Sequence, residues 1–442
     1  MLIKLISAVL LSLALTPSAS LATSTEAQPE TTPFTLVYSG NLDGELEPCG
    51  CSEGGNKGGI KRRVKMVDQL RQQYPELLLI SSGGLIVSEL PQDRLKSRYI
   101  MEGLNALDYD AIGLQWRDLG FGKKFIEQSP LPFISSNAYL DNFPSQQVIN
   151  KQKQAFVFFN WLDANSQPQS NMESKDHNVS NDNQALKQRL SLAKDLGATT
   201  ILSSTLPLAK AKTRLPLEDV DILIIKAKYE QFGEPVKINN TLAIQPGSRG
   251  MRLGKLQFRL NDKGHIDHWS HEVIPLPPEV GDAPRMETWY TNYNAEVKTE
   301  YEKRAAERQR IEQGESPYIG GKACQTCHQK AYQTWSQSRH AEAFYALQDV
   351  NKAFDPDCIP CHTVAFEQAG GFIDSAITEH LTHVQCESCH GAAKQHAASA
   401  GQSPVANADW PKEKICGQCH VQKHSPDFVY ENYWPKIAHG KE

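Results

Sequence analysis

Cys324-Gln-Thr-Cys-His328, Cys358-Ile-Pro-Cys-His362, Cys386-Glu-Ser-Cys-His390 and Cys416-Gly-Gln-Cys-His420 all lie in the last third of a 442-residue chain. Each is a Cys-x-x-Cys-His run, the attachment pattern of c-type haem: two thiols form thioethers with the porphyrin edge and the adjoining histidine ligates the iron. The chemistry sets the spacing, because two intervening residues let both sulfurs straddle one ring edge while the next side chain turns beneath the metal. A zinc ribbon also uses Cys-x-x-Cys pairs, but it needs no histidine after every pair. Four runs in succession therefore predict four covalently bound c-type haems. Their thioethers fall on Cys324 and Cys327, Cys358 and Cys361, Cys386 and Cys389, and Cys416 and Cys419, and their proximal ligands are His328, His362, His390 and His420.

Working outward, residues 318–442 offer only about thirty residues per haem, so the haems themselves are expected to form the core and the apo-chain to be unfolded. Histidine is concentrated here, with ten of the chain's fourteen following Tyr318. Six of these are spare: His340, His380, His383, His396, His424 and His439. They are enough to give every iron a second imidazole, which closes the sixth position and suits electron transfer rather than bond-making. Some of the six are expected to be solvent bystanders, His380 or His383 and His424 among them. His340 is the leading distal ligand, since it follows Trp335-Ser-Gln-Ser-Arg on a helix leaving the first motif; the expected recipient is the haem on His390.

At the other end, Met1-Leu-Ile-Lys4, an apolar run over residues 5–15, Pro17 and Ser20-Leu-Ala22 read as a secretory signal peptide cleaved after Ala22. The run is short for a membrane span and no Cys follows it for lipidation, so an exported, periplasmic protein is expected, with membrane association only through partners. Net charge is −5 with no long basic stretch, which argues against nucleic acid as a partner.

Residues 23–33 form a polar, flexible lead-in. From 34 to 276 apolar runs at 34–39, 77–82, 110–114, 132–136, 155–161, 199–203, 220–226, 241–245 and 255–260 read as strands, alternating with helical periodicity at 59–73, 93–107 and 183–196. That alternation predicts a layered α/β domain, interrupted by a Ser/Asn-rich surface loop over 165–183. Residues 277–317 are read as a helical linker whose helix covers 287–313. A solvated spacer is the first expectation for it, and packing along the haem segment the other.

In the last segment, Tyr318-Ile-Gly-Gly, the first motif, Tyr332, Trp335, Ser338-Arg-His340 and Val384-Gln-Cys-Glu-Ser-Cys-His-Gly391 with His396 resemble the tetrahaem cytochrome c family of the nitrifier type. The resemblance implies a mainly α and irregular multihaem fold placed on the exported side of a bacterial membrane. It assigns a distal role to His340 and, on weaker local matches, to His383, His396 and His439. One haem of that family lacks a protein sixth ligand, so four closed irons are not implied.

The 34–276 segment is similar to the calcineurin-like metallophosphatases of the 5'-nucleotidase type, through Leu36-Val-Tyr-Ser-Gly-Asn-Leu-Asp-Gly-Glu, Leu78-Leu-Ile-Ser-Ser-Gly-Gly84, Asp110-Ala-Ile-Gly-Leu-Gln-Trp-Arg and Pro132-Phe-Ile-Ser-Ser-Asn137. It departs from that family at the metal ligands. Asn41-Leu-Asp43 stands for Asp-x-His, Gly83-Gly84 for Gly-Asp and Gln115-Trp-Arg117 for Asn-His-Glu, while the later Gly-His-x-His is replaced near 227–230. A two-metal hydrolase needs those ligands to activate water, so the expectation is a degenerate metallophosphatase-like domain without phosphatase activity, kept for docking, shielding or orienting. Cys49-Gly50-Cys51, after the first strand, is read as a redox pair, an ordinary disulfide or a metal-binding pair.

Two functions survive. One is an exported electron carrier serving donor and acceptor proteins, cytochromes or a quinol-linked complex. The other is a multihaem redox enzyme acting on a nitrogen or sulfur oxyanion at one open haem.

Overall fold

A computed structural model describes residues 32–48, 56–88, 92–138, 142–168, 179–225, 232–312, 314–422 and 424–440. The signal peptide, Cys49-Gly50-Cys51 and the 227–230 replacement lie outside the described residues, as do nearly all of the 23–33 lead-in and the middle of the 165–183 loop.

Twelve strands build two six-stranded sheets. The first takes β1 (Phe34–Ser39), β2 (Leu78–Ser81), β3 (Ala111–Gly113), β4 (Phe133–Ile134), β11 (Arg252–Leu260) and β12 (Ile266–Pro275) in the order β12-β11-β1-β2-β3-β4. The second takes β5 (Gln147–Lys151), β6 (Gln154–Trp161), β7 (Thr199–Ser204), β8 (Ile222–Ile225), β9 (Gly233–Ile238) and β10 (Thr241–Gln245) in the order β5-β6-β7-β8-β10-β9. Strands β1 to β4 run parallel, as do β6, β7, β8 and β10, with antiparallel strands on the flanks.

Strand alternation sorts the layers. Leu36, Tyr38, Leu78 and Ile80 meet Phe156, Phe158, Ile201 and Ile222 between the two sheets. Their neighbours Val37 and Leu79 face the other way, into the cluster formed with Ile60, Val64 and Val67 of α1 (Ile60–Gln73) and Ile100 and Leu104 of α2 (Asp93–Asn105). Outside the second sheet, Phe159 and Leu202 pack with Leu186 and Leu190 of α4 (Gln184–Asp195) and Ala211 of α5 (Leu208–Arg214); a short α3 (Lys123–Glu127) completes the first side.

The long helix α6 (Glu287–Ile311) is not the solvated spacer expected first. Tyr293, Val297, Tyr301 and Ala305, each four residues apart, form one buried stripe. Tyr293 meets Tyr99 of α2 edge-on at 5.3 Å, and Arg98 Nη2 reaches Glu296 at 2.6 Å. Further along, the Tyr301 hydroxyl donates to the carbonyl of Ile373 at 3.1 Å and Arg308 to that of Phe372 at 2.9 Å. The helix is therefore clamped on one side by the α/β layers and on the other by the haem-motif segment.

That segment is short helices and turns, including α7 (Gly321–Cys324), α8 (Gln329–Ser336) and α9 (Ala343–Asp349). It also departs from expectation by owning some apolar core: Phe344, Leu347, Phe354, Ile359, Val364, Phe372 and Leu381 join the same buried cluster as α6 and α2. Among the described residues beyond Gly391 the buried apolar one is Ala393. Because Tyr293 belongs to all three layers, Tyr293→Ala is expected to cost about 3–5 kcal/mol and to split chemical unfolding into two transitions. Parallel denaturation followed by far-ultraviolet circular dichroism and haem absorbance checks this; coincident transitions with unchanged midpoints would refute it.

Candidate functional site

Each Cys-x-x-Cys run is a helical turn, which puts residues i and i+3 on one face. The segments Ile359–His362 and Cys386–His390 are single turns, while Cys324 ends α7 and Cys416 ends the helix Lys412–Cys416. All eight thiols are free, which leaves them available for thioethers. Among the described residues no three His, Cys, Asp or Glu side chains gather to hold a metal ion.

Adjacent motifs are tied together by the backbone's own donors. The buried Glu387 carboxylate, inside the third motif, accepts N–H groups of Ile319 at 2.9 Å, Gly320 at 2.8 Å and Ala393 at 2.9 Å. It fixes the segment entering the first motif against the third. Trp335 Nε1 donates to the carbonyl of Val384 at 2.7 Å, and the Val384 N–H donates to the carbonyl of His340 at 3.2 Å, which sets His340 just past the end of α8. Nothing in the motif pattern singled out Glu387; a carboxylate within the variable pair has no periodicity to reveal it.

The histidines then fall into pairs. Ring centres stand 6.0 Å apart for His328 and His396, 6.2 Å for His340 and His420, and 5.8 Å for His390 and His439. With a metal–imidazole bond of about 2.0 Å on each side and a ring centre about 1.1 Å beyond the nitrogen, two imidazoles sharing one metal stand about 6.2 Å apart. The three separations lie close to that figure. His340 thus faces His420, not His390 as the sequence suggested, because the turn after Ser338 directs it toward the fourth motif while the C-terminal tail brings His439 to the third.

Ring tautomers support the same reading. The Nδ1–H of His362 donates to the carbonyl of Ala343 at 2.5 Å, that of His396 to Ser403 at 2.7 Å and that of His439 to Ile437 at 3.0 Å. Each leaves Nε2 free to ligate. Burial lowers the affinity of His340, His362, His390 and His420 for a proton, favouring the neutral, ligating form.

His362 has no imidazole at that spacing among the described residues; His424 is an electrostatic neighbour that depresses it further. His383 is not brought to a proximal histidine. Its Nδ1 accepts the N–H of Phe344 at 3.2 Å and its ring abuts Tyr345 at 4.5 Å, held in a left-handed backbone with φ 69°. His380 is exposed.

The thiols show which motifs are neighbours. Cys324 shares a hydrogen bond with Cys386, and Cys361 with Cys419, the latter drawing Cys361 down to about 7. Cys389 and Cys416 also lie close enough to act on each other electrostatically, although burial is the larger cause that raises Cys389 to about 11. The order of contact is first, third, fourth, second.

The mouth of the α/β layers lies at the carboxyl ends of β1, β2 and β3, where such sheets place ligands. Gln115 Nε2 donates to Asn41 Oδ1 at 2.8 Å and to the carbonyl of Ser82 at 2.9 Å. Asp43 pairs with Arg117 and accepts the N–H of Arg249 at 3.2 Å. Gly84, with φ 71°, has no room for a side chain: a Cβ there would stand 2.7 Å from Asn41 Cγ. Asp118, fully buried, spends its carboxylate on the N–H groups of Gly84 at 2.8 Å, Leu85 at 2.7 Å and Gln115 at 3.0 Å.

Comparison with known proteins agrees with this division. Residues 323–391 match the family described as cytochrome c554 and c-prime. Cytochrome c-554 of Nitrosomonas europaea is 28% identical over 138 residues, covering 24% of this chain and 59% of its own length. The chain thus spans less than two thirds of that relative. The α/β layers share the fold of a 5'-nucleotidase precursor from Thermus thermophilus, with TM-score 0.53, 16% identity and coverage of 60% of this chain and 59% of that one. Sulfate thiohydrolase SoxB of Thermus thermophilus is similar too, with TM-score 0.52, 15% identity and 61% coverage of each chain. Asp118→Asn turns one acceptor toward backbone donors into a donor and is expected to destabilise by about 2–3 kcal/mol. Urea denaturation would show it, and an unchanged midpoint would mean the carboxylate does not organise this mouth.

Proposed function

We propose that the protein is an exported, periplasmic tetrahaem c-type cytochrome that transfers electrons between redox partner proteins, and that its metallophosphatase-like domain is catalytically degenerate. The observation that carries the reading is the set of three imidazole pairs at iron-spanning separation. Haem c supplies reversible one-electron chemistry when bound. The chain's own residues do the rest. His328 with His396, His420 with His340 and His390 with His439 would hold three of the haem irons, and the Nδ1–H bonds of His396 and His439 fix their rings. The thiol contacts, first motif to third, third to fourth and fourth to second, support an unbroken file of attachment sites, which is what hopping between neighbours needs.

The α/β layers support degeneracy because the positions of the missing metal ligands are filled by a Gln115-to-Asn41 side-chain hydrogen bond and an Asp43–Arg117 ion pair, with Gly84 closed against Asn41 and Gln115. A guanidinium now neutralises the carboxylate that a metal would have taken. The domain shields the second motif instead: Lys96 Nζ bonds Asp357 at 2.5 Å, just before Cys358. A second reading, an enzyme acting on a nitrogen or sulfur oxyanion, is favoured by one observation, that His362 belongs to none of the three imidazole pairs.

Intact mass should exceed the mature polypeptide by four haems after denaturation, and electron paramagnetic resonance should show three low-spin irons and one high-spin. Fewer than four haems would end the tetrahaem assignment, and four low-spin signals would remove the open-site reading. His340→Ala should convert one low-spin iron, that on His420, to high-spin with a raised potential. An unaltered spectrum would mean His340 is a bystander. With added manganese or zinc, no phosphodiester or nucleotide hydrolysis is expected above background; turnover abolished by Asp43→Ala would overturn the degenerate assignment.

A further inference from the structure

A cavity of about 580 Å³ opens at the seam of the three layers, between α2, α6 and the stretch that leads into the second haem motif. Its walls include Asp355, Pro356 and Asp357, immediately before Cys358, yet no cysteine or histidine lines it. It is therefore not the bed of a haem, which would need its own thiols and ligand at the wall. Its floor is apolar and aromatic, from Phe125, Tyr293, Val297, Tyr301, Phe366 and Ile373.

Most of its charges are already paired. Lys96 holds Asp357, Arg98 holds Glu296, Lys352 holds Asp355 and Arg308 holds Glu312. Two guanidinium groups remain without a carboxylate among the described residues. Arg94 lies over the Phe125 ring at 4.9 Å, and Arg304 makes one contact, with Gln92 at 3.4 Å. Glu307 and Glu367 stand at the same rim, and no salt bridge to either occurs among the described residues.

An aromatic slot whose rim presents both donors and acceptors suits a planar ring with an oxygen at each end. We propose that this cavity binds a quinol-class molecule, a dihydroxyarene or its quinone. The ring lies against Tyr293, Tyr301 and Phe366. Arg94 and Arg304 donate to its oxygens, and when the ring is reduced its hydroxyls donate to Glu307 and Glu367. A strongly hydrated inorganic oxyanion would gain nothing from such a floor, so the site is distinct from the open position expected at His362. The inference deepens the electron-transfer reading by naming the class of small partner and where it enters, and it rests on that reading for its purpose though not for the binding itself.

The test uses the fully oxidised holoprotein with no donor present, so that binding is scored independently of electron transfer. Isothermal titration with menadione is expected to give a saturable single site, with 2-methylnaphthalene, which lacks the oxygens, binding at least about tenfold more weakly. Arg94→Ala/Arg304→Ala changes rim groups outside the buried stripe and should weaken menadione about tenfold or more, with haem spectra unchanged. Gln128→Trp, which adds bulk to the cavity wall from an exposed position outside the buried stripe, should weaken binding about tenfold or more while circular dichroism stays native. No saturable binding, equal affinity for the two probes, or full affinity in both variants would each overturn the proposal. Menadione bound as described by a protein that nonetheless fails to exchange electrons with any redox protein would leave the site standing and sink the electron-transfer reading instead.

Discussion

One buried stripe on one helix holds the molecule together. Tyr293, Val297, Tyr301 and Ala305 recur every fourth residue of α6, so one face is buried and apolar while most of the remaining positions are polar or charged. Amphipathic burial of that kind stabilises a long helix far more than its intrinsic propensity does. The stripe is shared: α2 takes its first half, and Phe372 and Ile373 meet its second half. Removing either neighbour would leave the other exposing aromatic surface to water. The α/β layers and the haem-motif segment are therefore not two beads on a string.

The same joint reaches the mouth of the first sheet. A two-metal centre demands several carboxylates and imidazoles converging on one point, each costly to desolvate without the ions. In the loop after β1 the carboxylates of Asp43 and Glu47 are instead paired with cations. Asp43 is taken by Arg117, and Glu47, a few residues on, reaches across to Lys352 Nζ at 2.6 Å and accepts from the hydroxyl of Tyr290. This loop thus holds the neighbouring segment.

Much of this was legible in the chain, for reasons that differ by element. The nine strands read from the sequence are largely buried and apolar, so composition alone marked them. Strands β5, β9 and β12 were missed because they are flanking partners: β12 shows Asp267, His268, Trp269 and Ser270 to solvent, and its place in the sheet is dictated by pairing with β11 rather than by its own pattern. The haem motifs were legible because covalent chemistry fixes a five-residue spacing. His340, His396 and His439 were named through the family resemblance, but which proximal histidine each would face was not legible, since a ligand offered from across the fold is constrained only in space; His439 lies forty-nine residues from His390 and His396 sixty-eight from His328. The charge-rich linker helix misled for a related reason, because three charged faces outweigh one apolar stripe in any composition count.

The histidine geometry carries a further consequence for how such a chain folds. The paired imidazoles are brought to within about 6 Å of each other by protein contacts: Trp335 to Val384 for His340, the Ser403 carbonyl for His396, and the C-terminal turn for His439. Those contacts are few, and beyond Gly391 they are backed by almost no apolar burial. They can orient a ligand but not by themselves offset the entropy of ordering the tail, which runs to about 1–2 kcal/mol per residue. The segment up to Leu381 shares the α6 core and can order with it. Ligation of a metal by the paired histidines would supply that order, coupling the folding of the tail to ligation. The two halves of the motif region thus differ in their support: hydrophobic burial against α6 for the second motif, and few contacts of its own for the C-terminal tail that carries His396 and His439.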